Sequence, residues 1–74
     1  MLINEIKKEE LEGGLTKTIS RTLDDLKIII DFVCVKPKIS TQRIFPNDYD
    51  GKQEAKEFEN SVKNIKDLKK LMGL

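Results

Sequence analysis

The chain has 74 residues, more than a third of them charged, a net charge of +1, one cysteine and no histidine. A chain this short forms a single domain, residues 1–74, with a thin margin of stability; a lone cysteine excludes an internal disulfide, and the absence of histidine argues against a structural zinc, so self-association is the expected remedy. The near-neutral charge does not announce a nucleic-acid partner, and no apolar run approaches the roughly 20 residues of a membrane span.

At the N-terminus, charge arrives after four residues, at Glu5, so no signal peptide is expected and a reducing, cytoplasmic setting fits. Leu2, Ile3, Ile6 and Leu11 recur at near-helical spacing among Glu and Lys, and Gly13-Gly14 follows as a stop. The pattern predicts a short amphipathic helix over Ile3–Glu12 within an N-terminal segment 1–14. The alternative is an arm that orders on meeting a partner, because an isolated helix this short is marginal.

Leu15–Leu23 alternates Leu15, Lys17, Ile19, Arg21 and Leu23 with Thr16, Thr18, Ser20 and Thr22, although Leu15, Ile19, Leu23 and Leu26 also fit a helical stripe. The Thr and Ser content favours a strand. Asp24-Asp25 then forms a hairpin turn, tight or within a longer loop. Leu26–Val35 is apolar on both alternating faces and reads as a central strand covered, at least partly, on both sides. A two-residue register sets Arg21 against Ile28, Ile19 against Ile30, Lys17 against Phe32 and Leu15 against Cys34. Lys36-Pro37-Lys38 breaks the run, since proline lacks the amide donor a central strand needs. Ile39–Phe45 supplies a third strand, with Ile39, Thr41, Arg43 and Phe45 on the Ile28 face. Together, residues 15–45 make a β-meander.

Pro46 to Gly51 is the densest turn cluster, and it opens a long helix over residues 50–72. Asp50 is the expected cap, with Gln53 reaching back. Ala55, Phe58, Val62, Ile65, Leu68 and Met72 keep a three-and-four rhythm up to Gly73. Acids gather near its start and lysines near its end, a favourable arrangement with respect to the helix dipole. Packing this stripe on the Ile28, Ile30, Phe32, Cys34 face gives an α+β, two-layer domain: a three-stranded antiparallel meander, a long C-terminal helix on one face, and a short N-terminal helix or arm.

The opposite sheet face is then the surface without an internal partner. It carries Ile29, Asp31, Val33, Val35 and Ile44, a half-apolar patch of the kind that marks an interface. Lys52, Lys56, Lys63, Lys66 and Lys70 share one side of the expected helix and could contact phosphates or an acidic protein, yet a solvated helix face explains them equally. Asp31 is a lone acid in an apolar strand, without a base or metal to make it catalytic. Asn47, Asp48 and Asp50 are too closely spaced for a calcium loop and suit turn and cap roles. Ser and Thr lack a histidine to activate them, and Cys34 reads as a buried reduced thiol. The expectation is a small non-enzymatic regulatory or inhibitory protein without a cofactor, acting by contact with itself, as a dimer, and with another protein. Its size and lack of chemistry suggest a phage or mobile element. The second reading is a nucleic-acid-binding regulator using the Lys face.

Overall fold

The computed structural model describes residues 3–74. It is α+β: an open antiparallel sheet of four strands, ordered as they occur in the chain, with two helices. The strands are β1 (Ile3–Leu11), β2 (Leu15–Thr22), β3 (Lys27–Cys34) and β4 (Ile39–Pro46); the helices are α1 (Tyr49–Ser61) and α2 (Ile65–Leu71). In the central hairpins the expected register is found. Arg21, Ile19, Lys17 and Leu15 oppose Ile28, Ile30, Phe32 and Cys34. Arg43 opposes Ile30 and Phe45 opposes Ile28 on the far side. Strand parity therefore gathers Leu15, Ile30, Phe32, Cys34 and Phe45 on one face.

Several expectations are corrected. Residues 3–11 form an edge strand instead of a helix or arm, antiparallel to β2. A bulge between Glu5 and Lys7 shifts the pairing, so that Ile3 opposes Thr22 while Leu11 opposes Leu15. This one-residue phase change spaces the apolar residues in a way that imitates a helix. Leu2, part of the same expected stripe, lies outside the described residues. Gly13 and Gly14, both at φ 79°, occupy the left-handed region in the three-residue connection to β2, so they turn a hairpin and do not stop a helix. Backbone pairing with β2 outweighs a helix too short to stand alone.

The single long helix over residues 50–72 is also corrected: it is broken at residues 62–64. Val62 is extended, and Asn64 starts a second helix, its side chain accepting from the Asp67 amide at 2.9 Å while Asp67 accepts from the Lys63 amide at 3.1 Å. These bonds give the backbone a local alternative to helix continuation. The cap of α1 is Asp48, which accepts from the Gly51 amide at 2.7 Å, and not Asp50. The central strand also ends one residue early, leaving Val35 in the turn before β4. The β2–β3 turn spans residues 23–26, longer than the Asp24-Asp25 pair. It is closed by the Asp25 amide on the Thr22 carbonyl, with Asp25 at φ 62°.

Both helices lie on the Ile28 side of the sheet. Leu15, Ile30, Phe32, Cys34 and Phe45 from the strands meet Ala55, Phe58, Val62 and Leu68 from the helices in one core. Phe58 sits at its centre, edge-on to Phe32 at 5.4 Å and tilted against Phe45 at 5.7 Å between ring centroids. Burying a side chain of this size contributes about 1.5–3 kcal/mol, which explains why a short helix stays docked. Gly51 brings the start of α1 against the end of β4; a Cβ there would lie 1.8 Å from the Pro46 carbonyl oxygen.

Candidate functional site

The sheet face away from the helices carries three rows of side chains across β2, β3 and β4. Thr16, Val33 and Ser40 form one row, Thr18, Asp31 and Gln42 the next, and Ser20, Ile29 and Ile44 the third. Among the described residues neither helix covers this face. Val33 and Ile44 remain 44% and 51% exposed. Ile29, in contrast, is buried at 4%, and its neighbour Ser20 is buried, its Oγ without a hydrogen-bond partner among the described residues. Val35 is fully out of the ladder and exposed in the turn. The five residues expected at an interface thus separate into the exposed Val33 and Ile44, a half-buried Asp31 between their rows, a buried Ile29, and Val35 at the margin.

Asp31 lies between Thr18 and Gln42 on its neighbours. Partial burial raises its carboxyl above the usual aspartate range, and the Gln42 side chain opposes that shift. A half-buried carboxylate flanked by two neutral polar side chains can accept hydrogen bonds from an approaching surface. Among the described residues, burial and the Gln42 side chain are the influences on this carboxyl.

The five lysines expected along one helix face are exposed but divided by the break. Lys52 and Lys56 are on α1, Lys63 in the connection, and Lys66 and Lys70 on α2. On α2, Lys66, Lys69 and Lys70 surround a shallow depression floored by Ile65 and Leu74.

A charged cluster not foreseen from the sequence lies at the β1 end of the helix layer. Lys17 points to the helix side, nearly buried, and donates to Glu59 Oε1 of α1 at 2.8 Å. Its Nζ is also 3.5 Å from Glu9 Oε2, while Lys7 Nζ stands 3.2 Å from Glu9 and 3.7 Å from Glu59. Burial lowers the Lys17 ammonium, but the hydrogen bond and charge of Glu59, followed by Glu9, outweigh it and raise Lys17 overall. Glu9 is held low by the hydrogen bond from Lys7 and the charge of Lys17. Two cations and two carboxylates balance, so the cluster fastens β1 and α1 to β2 and leaves no charge to attract a ligand. A signal was present: a lysine in the apolar phase of β2 needs a carboxylate, and Glu59 is the next residue after the core Phe58.

Among the described residues no group of three or more Cys, Asp or Glu side chains could hold a metal ion, and no helix is long and apolar enough to cross a membrane. Compared with protein-family models, curated proteins and solved structures, the chain matches none.

Proposed function

We propose that this chain is a small regulatory or inhibitory protein that acts by protein–protein contact, without chemistry of its own, and that it works as a homo-oligomer. Its contact surface is the open sheet face around Asp31, Val33 and Ile44. The observation that carries this reading is the one-sided helix layer. It leaves two branched apolar side chains half exposed beside a polar rim of Thr16, Thr18, Ser40 and Gln42. Such a surface combines apolar area with hydrogen-bonding groups, as transient interfaces do.

Val33→Lys tests it. A lysine at this exposed position reaches water in the free protein, so the fold and its cooperative melt are retained, whereas a docked partner would have to desolvate the charge. Partner capture by tagged protein should be lost in the variant and kept by wild type. Capture that survives Val33→Lys removes this face from the function.

The second reading, nucleic-acid binding, draws support from Lys66, Lys69 and Lys70 around one depression. It requires affinity that falls steeply with salt, because each neutralised phosphate releases counterions. Contact through Val33 and Ile44 is nearly independent of salt.

A further inference from the structure

The two edges of the sheet differ in a way that matters for self-association. β1 carries a bulge and the run Lys7, Lys8, Glu9, Glu10, devices that discourage pairing with another strand. β4 pairs with β3 without a bulge from Ile39 to Pro46, and Arg43 is its single charge. Among the described residues no strand lies along its outer side. The Asn47 amide donates to the Leu26 carbonyl at 2.8 Å, which fixes the phase of the β3–β4 ladder. Since hydrogen-bonded pairs alternate in an antiparallel ladder, the amides and carbonyls of Ser40, Gln42 and Ile44 point outward.

We propose that β4 is the seam of a symmetric dimer, in which it pairs antiparallel with β4 of a second copy about a two-fold axis midway between the two Gln42 residues. An axis perpendicular to the sheet keeps both helix layers on the same side, so facing residues must share parity and the axis must lie between a residue and its own copy. Centring on Gln42 aligns the whole of Ile39–Phe45. Ser40 then exchanges backbone bonds with Ile44 of the second copy, Gln42 meets Gln42, Ile39 meets Phe45, and Arg43 meets the neutral Thr41. Centring on Arg43 would set two guanidinium groups against each other. On β1, every centre from Lys7 to Glu10 would set a charged residue against its own copy, a destabilising cross-strand pair.

The register selects a second copy as the occupant: about Gln42 the single charge of β4, Arg43, meets the neutral Thr41, and no like charges oppose each other. Beside β4, a groove beneath α1 is lined by Arg43, Phe45, Glu54, Glu57 and Leu71, with Arg43 stacked 5.1 Å from the Phe58 ring centroid. Arg43 lies on the strand side of this groove, and Glu54 and Glu57 lie on the helix side. α1 packs on β3 and β4, so pairing the β4 edges also brings the two α1 helices side by side above the seam. The eight strands then present one continuous open face, with Ile44 of each copy close to the axis. The seam does not depend on what that face binds.

Sedimentation equilibrium of wild type and Gln42→Pro tests the seam. Wild type should show twice the 8.5 kDa chain mass. The outward Gln42 amide is not part of the β3–β4 ladder, so proline there keeps the fold while removing the central bond of the seam, and the mass should halve with the circular dichroism retained. Amide exchange on wild type is the second measurement and stands even where Gln42→Pro fails to fold. Ser40, Gln42 and Ile44 should be protected in concentrated solution and lose that protection on dilution. A wild type that is monomeric at every concentration, or a folded Gln42→Pro that keeps the dimer mass, overturns the proposal. Val33→Lys separates the two readings: it should abolish partner capture while the dimer mass persists, and a monomeric Val33→Lys beside a dimeric Gln42→Pro would move the seam to the open face.

Discussion

Asp31 and Lys17 are both charged residues on a central part of the sheet, but their surroundings give them opposite effects on stability. The Asp31 carboxyl is raised by burial, so its contribution is fully present below the unfolded value of 3.8 and lost as pH rises through the folded value. Asp31→Asn should therefore stabilise the protein at pH 7 and make no difference in strong acid, where both states are protonated. Thermal melts at the two pH values check this, and an unstabilised variant at pH 7 would show that the carboxylate is fully hydrated. Glu9 behaves in the opposite sense: its carboxyl is lowered, so its contribution is present above 4.5 and lost as pH falls through the folded value. Lys17 is raised, and its contribution is kept below 10.5 and lost only as pH climbs through its folded value. For the cluster, removing one partner should matter more than removing the buried charge. Glu59→Gln leaves the Lys17 ammonium without its closest carboxylate and should cost about 1–3 kcal/mol. Lys17→Met replaces a buried charge with a chain of similar length, while Glu59 regains water, and should be close to neutral. Denaturant melts of the two variants decide it, and equal losses would contradict the account.

At the scale of elements, the decisive contact is the one between Pro46 and Gly51. Glycine inside a helix ordinarily costs about 0.5–1 kcal/mol relative to alanine. Gly51→Ala should reverse that sign, because its Cβ would meet the Pro46 backbone and force α1 away from β4. A loss of about 1–3 kcal/mol is expected, as for other overpacked sites, read as a lower denaturation midpoint. A gain would mean that the helix start yields freely. The hairpins were legible in the sequence because alternation at Leu15–Thr22, Lys27–Cys34 and Ile39–Phe45 leaves one register that gathers Ile30, Phe32 and Cys34 on a common face. β1 was not legible, since its bulge at Ile6 breaks the alternation and its charged residues satisfy strand and helix patterns alike. The helix break was missed for a different reason. Val62, Ile65 and Leu68 keep helical spacing across it, and the competing signal, Asn64 three residues before Asp67, is short and local. Among the surface residues, the exposure of Val33 and Ile44 followed from parity, whereas the burial of Ile29 depends on neighbours that pattern alone does not reveal.

For the molecule as a whole, the layout puts the helices and the core on one side of the sheet and leaves Val33 and Ile44 exposed on the other. Charge is also segregated: residues 46–59 hold five acids and two lysines, while residues 60–74 hold four lysines and one acid. The Val33→Lys and Gln42→Pro experiments address different parts of this layout, a face and an edge, so their outcomes are independent. The order of strands in the sheet has a consequence for biosynthesis. Because β1, β2, β3 and β4 are neighbours in space in the order in which they are translated, each strand can find its partner as soon as it leaves the ribosome. Among the described residues, however, the apolar side of that sheet is sheltered by helices that are translated after all four strands. Ile30, Phe32 and Phe45 therefore wait uncovered until Phe58, Val62 and Leu68 have been added. A nascent chain of this protein is most vulnerable to adhesion and proteolysis after β4 has emerged and before α2 has followed.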